Sequence, residues 1–160
     1  VFRDARSDAL DSDFCTGTIT GGSFDGMGGD GIDVSGSDID VRGTRIMRAK
    51  DKALSVGEAS TLRATDVRLE ASGTGVAYKD GSTAVIRGGH ITDCVHVNLM
   101  AYRKKREYGS ATLTAEGVRQ AGAARAAVVQ TGNLLQVDGV TIETEDVDVE
   151  TLYTKGHMRK

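Results

Sequence analysis

The sequence contains no proline and no tryptophan, and aromatic residues make up only 4% of its 160 positions. A core built on large rings is therefore excluded, and the lack of proline speaks against a disordered linker, since such segments are usually proline-rich. There are only two cysteines, Cys15 and Cys94. They have neither the spacing of a metal site nor the density of a disulfide scaffold, so both read as free thiols. No apolar run reaches the roughly 18 residues of a membrane span. A basic excess is missing too: the net charge is -3, which argues against nucleic acid as a partner. The local exception is "YRKKREYG", residues 102 to 109. His90, His96 and His157 share no ligand spacing that would suggest zinc.

What is abundant is glycine, 21 residues, and it falls at regular intervals between short apolar stretches. Aligning "ALDSDFCTGTITGGSF", "GIDVSGSDIDVRGTRI", "ALSVGEASTLRATDVRL" and "GVAYKDGSTAVIRGGHI" places Leu10, Ile32, Leu54 and Val76 in one column, 22 residues apart each time. A fixed period of this length is the mark of a solenoid. The column is expected to continue through Met100 and Val128, with Phe24, Ile46, Leu69, Ile91 and Ile142 closing successive units. Each unit then holds three short strands separated by glycine corners, including those in "GGSFDGMGGDG". The predicted fold is all-β: a right-handed parallel β-helix of about 22 residues per coil and roughly six to seven coils. It forms one module over residues 1 to 160, with a corner-loop insertion at about 103 to 112, and reads as a piece of a longer chain.

Alternation along the first strand of each coil assigns its two faces. Ile32, Val34, Leu54, Val56, Val76, Tyr78, Met100 and Tyr102 are expected to point inward. Asp33, Ser35, Ser55, Lys79, Ala101 and Arg103 are expected to point outward. Asp11 falls in the column of Asp33, one coil earlier, with Asp13 on the same face. Carboxylates stacked at the strand spacing of about 4.8 Å repel unless a proton, a cation or a basic group intervenes. Asp11, Asp13 and Asp33 are therefore candidate acid/base residues and candidate ligands for Ca²⁺. Asp8 and Asp30 read as turn residues before their strands. Further along this face stand Lys52, Glu58, Lys79, Asp80, Arg103 and Lys104, a set of charges suited to holding an anionic sugar chain.

The segments "DGIDVSGS", "DKALSVGE" and "GVAYKDGS", together with the coil length, resemble the pectate-lyase-like superfamily. More narrowly, they resemble the β-helix modules of secreted bacterial proteins that also carry spore-coat-H-type domains. The order "SDALDSD", "GGDGID", "KDKALSVGE", "VAYKDGS" is similar to the polygalacturonase family, which implies Asp11 or Asp13 and Asp33 as acid and base and Lys79 as holder of the substrate carboxylate. Three departures stand against that family's pattern. Lys52 lies near the place of its histidine, Asp-Gly replaces Asp-Asp, and no arginine precedes Lys79 by two residues. The resemblance implies a secreted or cell-surface location, other domains of the same chain as partners, and a uronate-containing polysaccharide as ligand, with a lyase, glycoside hydrolase or epimerase-like activity as its catalytic form. A non-catalytic structural or adhesive spacer is the alternative.

Overall fold

The computed structural model describes residues 1–158 as a parallel β-solenoid of six coils with three sheets. The first sheet stacks Leu10–Asp13, Ile32–Ser35, Lys52–Gly57, Thr74–Lys79, Val97–Tyr102 and Arg125–Val129. The second stacks Thr16–Thr20, Asp38–Arg42, Thr61–Thr65, Thr83–Arg87, Thr112–Glu116 and Leu134–Val137, with Val140–Thr141 added antiparallel at its edge. The third is formed by strands of two or three residues, such as Phe2–Arg3, Arg45–Met47 and Arg68–Glu70. A short helix, α1 (Val149–Thr154), follows the last coil. No helix among the described residues is long and apolar enough to cross a membrane.

The 22-residue period sets the register of the first four coils. Leu10 lies beside Ile32, Ile32 beside Leu54 and Leu54 beside Val76. The next step is 23 residues, not 24: Val76 pairs with Leu99, and Leu99 with Ala127. Met100 and Val128, expected inside, instead continue the outward column of Ala77. A slip of one residue exchanges the two faces of a strand, so Ala101 joins the interior beside Tyr78, and Tyr102 lies on the outside beside Lys79. "LMAY" offers two adjacent apolar residues as anchors, and only stacking on the previous coil selects between them. In the third sheet, Phe24, Ile46, Leu69 and Ile91 form the expected column, which ends on Gln120 and not Ile142.

The corners after the first strands are closed by side chains as well as by backbone. Ser37, Ser60 and Ser82 are buried at equivalent corners, and each hydroxyl stands within hydrogen-bond distance of a carbonyl at its own corner (Ser35, Gly57 and Lys79) and of one on the coil before (Ser12, Val34 and Val56). These bonds satisfy carbonyls that a turn would leave without partners in a dry interior. Glu58 and Asp80 open their corners in the left-handed region, both at φ 56°, a conformation aspartate adopts more readily than most residues. In the fifth coil the chain leaves the repeat between Tyr102 and Thr112 and forms a loop carrying Arg103 to Tyr108.

Candidate functional site

The charges that come together on the first sheet begin with a column that also has the 22-residue period: Asp8, Asp30 and Lys52. Asp8 Oδ1 accepts the backbone N–H of Asp30 at 2.6 Å. Asp30 Oδ1 in turn accepts the N–H of Lys52 at 2.9 Å and faces its Nζ at 3.4 Å. Ala53 and Leu54 both enter the core, a break in strict alternation that leaves Lys52 on the outer side of the sheet. Its Nζ also lies 2.5 Å from Asp51 Oδ2.

Asp33 is the link to the next column. It lies beside Asp11 in the strand register, and its Oδ1 is 4.0 Å from Lys79 Nζ, which donates to Ser55 Oγ at 2.9 Å. Lys79 can lie flat against its neighbour because the preceding coil has Gly57 there: a Cβ on Gly57 would stand 2.9 Å from Nζ. Of the expected carboxylates, only Asp33 joins the acidic cluster; its companions there are Asp8 and Asp30, with one carboxylate oxygen from each within 4.8 Å of the others. Asp13 has Ser35 as its strand neighbour, and both Asp11 and Asp13 are exposed.

Burial controls the protonation of this network. Lys52 and Asp30 are each 2% exposed and Lys79 8%. Desolvation raises the Asp30 carboxyl to about 6 despite the opposing pull of Lys52, and Asp51, Asp33 and Asp8 add to the rise. Burial works against the charge on Lys52, but Asp30 above all outweighs it and the ammonium is held above its ordinary value. For Lys79 burial wins over Asp33, and its pKa is lowered. Oxygen donors suit a hard cation such as Ca²⁺, but the ammonium groups of Lys52 and Lys79 already stand against two of the three clustered carboxylates. The donor set is therefore a poor fit for a resident metal.

This part of the face is covered by the chain's own C-terminal segment. Val147, Val149, Leu152 and Tyr153 pack against Ala77, Val97, Met100, Tyr102, Val128 and Met158. The Tyr102 and Tyr153 hydroxyls are 2.5 Å apart, and Tyr102 Oη also reaches Met158 Sδ at 3.6 Å. Lys52 Nζ lies 5.9 Å from the centre of the Tyr153 ring, while the His96 and His157 rings stack at 4.0 Å. Burial raises both tyrosine hydroxyls and lowers His157.

Glu58, Asp80, Arg103 and Lys104 gather at the other end of the face, where the two acids hold the inserted loop. Asp80 Oδ1 accepts the N–H groups of Lys104 and Lys105, each at 2.7 Å, and Glu58 Oε1 is 2.5 Å from Lys105 Nζ. Sequence reasoning did not single out Asp8 and Asp30 as site residues, although their 22-residue spacing to Lys52 was a usable signal. It also missed Tyr153, which no periodicity marks. Comparisons with protein-family models, curated proteins and solved structures give no match.

Proposed function

We propose that this chain is an extracytoplasmic β-helix module that binds an anionic, uronate-containing polysaccharide along the outer face of its first sheet. The observation supporting this reading is the concentration of charge there. Asp8, Asp30, Asp33, Lys52 and Lys79 converge on one sheet, most of them withdrawn from water. The second sheet, by contrast, carries exposed pairs such as Arg87–Glu116 and Arg42–Asp40. Exposed pairs contribute little, and buried charges cost stability that a purely mechanical coil could save with apolar residues. Perturbed carboxyl and ammonium groups in one cluster are also a feature of functional sites.

The catalytic form of the reading uses the same groups. Asp30, titrating at about 6, exchanges a proton close to neutral pH, and Lys79, with its lowered pKa, has the character of a base. Secretion and membership of the pectate-lyase-like superfamily go with the segment resemblance and belong to this proposal. One observation favours the spacer reading: the C-terminal segment lies over Lys52 and Tyr102. Binding and turnover on polygalacturonate, alginate and a neutral glucan separate the two readings. Calorimetry measures binding, new reducing ends report hydrolysis and ultraviolet absorbance of unsaturated uronate reports elimination. Binding confined to the uronate polymers supports the proposal, and no interaction with any polymer leaves the spacer.

A further inference from the structure

The loop after Tyr102 carries four cations, Arg103, Lys104, Lys105 and Arg106, and its backbone is held in place by groups outside it. The N–H of Arg103 donates to Gln130 Oε1 at 2.7 Å, and the N–H groups of Lys104 and Lys105 share Asp80 Oδ1, which belongs to a residue only 1% exposed. Gln130 is itself fixed, donating through Nε2 to the Val147 carbonyl at 3.3 Å. Lys105 is taken by Glu58. Among the described residues Arg103, Lys104 and Arg106 make no ion pair, and Lys104 Nζ instead lies 4.4 Å over the Tyr153 ring.

Between this loop and helix α1 is a cavity of about 730 Å³ bordered by Arg103, Lys104 and Arg106, within the roughly 300–1,000 Å³ range of ligand clefts. Two carboxylates also border it. Both oxygens of Asp148 are occupied by Thr151, one by its N–H at 2.9 Å and one by its hydroxyl at 2.7 Å, as the cap of α1. Glu150 is exposed on the first turn. The three positive groups thus outnumber the negative ones.

We infer that this cavity is the anchoring subsite for a sugar carboxylate, with the guanidinium groups of Arg103 and Arg106 as its receptors. A guanidinium fork matches a carboxylate with two parallel hydrogen bonds, and a loop fixed before binding loses little conformational freedom when the ligand arrives. The net charge of -3 disfavours a nucleic-acid phosphate backbone in the same place, since such binders neutralise many phosphates along a basic stripe. The inference rests on the polysaccharide reading. It places the contact beside the C-terminal segment, whose Asp148, Glu150 and Tyr153 line the cavity opposite the loop.

The test is calorimetric titration of a galacturonate hexamer, a neutral glucan hexamer and a heparin-derived hexasaccharide into the full chain and into Arg103→Ala, Arg106→Ala and Arg103→Lys. The expected result is galacturonate binding that weakens with added NaCl, is lost at least tenfold in both alanine variants at unchanged thermal midpoint, and is partly recovered by the lysine. The neutral hexamer is expected not to bind. Undiminished galacturonate binding in both alanine variants overturns the subsite and leaves the polysaccharide reading standing. Arginine-dependent binding of the sulfated sugar alone overturns the uronate reading and, with it, the carboxylate assignment. No binding by the wild-type chain overturns both.

Discussion

Tyr102 and Tyr153, 51 positions apart in the chain, share a hydrogen bond of 2.5 Å between their hydroxyls, tying helix α1 to the outer face of the fifth coil. Tyr102 is fully buried, and among the described residues its hydroxyl has, apart from Tyr153, only the Met158 sulfur, a weak acceptor. Replacing Tyr153 with Phe leaves a buried hydroxyl poorly satisfied, at a cost of about 1–3 kcal/mol. The cost falls on docking of the C-terminal segment. Hydrogen exchange and limited proteolysis are expected to show faster opening of residues 143 to 158, with protection of Leu54, Val76 and Ile86 unchanged. Equal loss of protection along the whole solenoid would contradict a locally docked segment.

The register slip separates two neighbours that a hydropathy profile treats alike. Leu99 is in the main core, whereas Met100 packs beneath the C-terminal segment. Leu99→Ala and Leu54→Ala are each expected to lower global unfolding stability by about 2–5 kcal/mol, because a residue held between coils cannot relax into the void. Met100→Ala should loosen the C-terminal segment more than the coils. Urea denaturation together with protease sensitivity distinguishes the two, and the reverse ranking would restore the register expected from sequence.

Asp30 should make stability depend on pH in a direction opposite to that of an ordinary paired carboxylate. Its folded pKa, about 6, lies above the ordinary 3.8, so between those values the native state binds more protons than the unfolded chain. Stability therefore falls as pH rises from about 4 to about 6, and this group contributes up to about 3 kcal/mol of the change. Asp30→Asn cannot titrate and is expected to lose that slope. Parallel pH profiles of urea midpoints in wild type and variant would falsify the assignment.

Asp80 should matter through the loop that it holds. Asp80→Ala removes the acceptor of two backbone N–H groups, with hydrogen bonds to a charged group worth about 1.5–3 kcal/mol each. It also forces alanine into the left-handed backbone region. Asp80→Asn keeps a carbonyl acceptor and tolerates that conformation, so it should recover much of the loss. Amide exchange at Lys104 and Lys105 reads the effect directly: fast exchange is expected in the alanine variant and intermediate exchange in the asparagine variant.

The sequence alone determined the coil. Three equal intervals of 22 among Leu10, Ile32, Leu54 and Val76, glycine-rich corners and the lack of proline leave a parallel solenoid as the way to bury the apolar residues of every coil in continuous columns, and strand stacking then places Asp33 beside Asp11 and outside the core. The equal spacing of Asp8, Asp30 and Lys52 was legible by the same rule, although their grouping into a buried network depends on side-chain reach that a period does not encode. Tertiary structure decided where the period fails. Between Val76 and Leu99 the register is fixed by packing on the preceding coil, which turns Met100 and Tyr102 outward, and an outward apolar pair needs a cover. That cover is the segment around Tyr153, brought from 51 residues away. Its position depends on the surface it finds and not on any local pattern, so the burial of Lys52 and the cavity beside Arg103 appear only once the chain has folded back on itself.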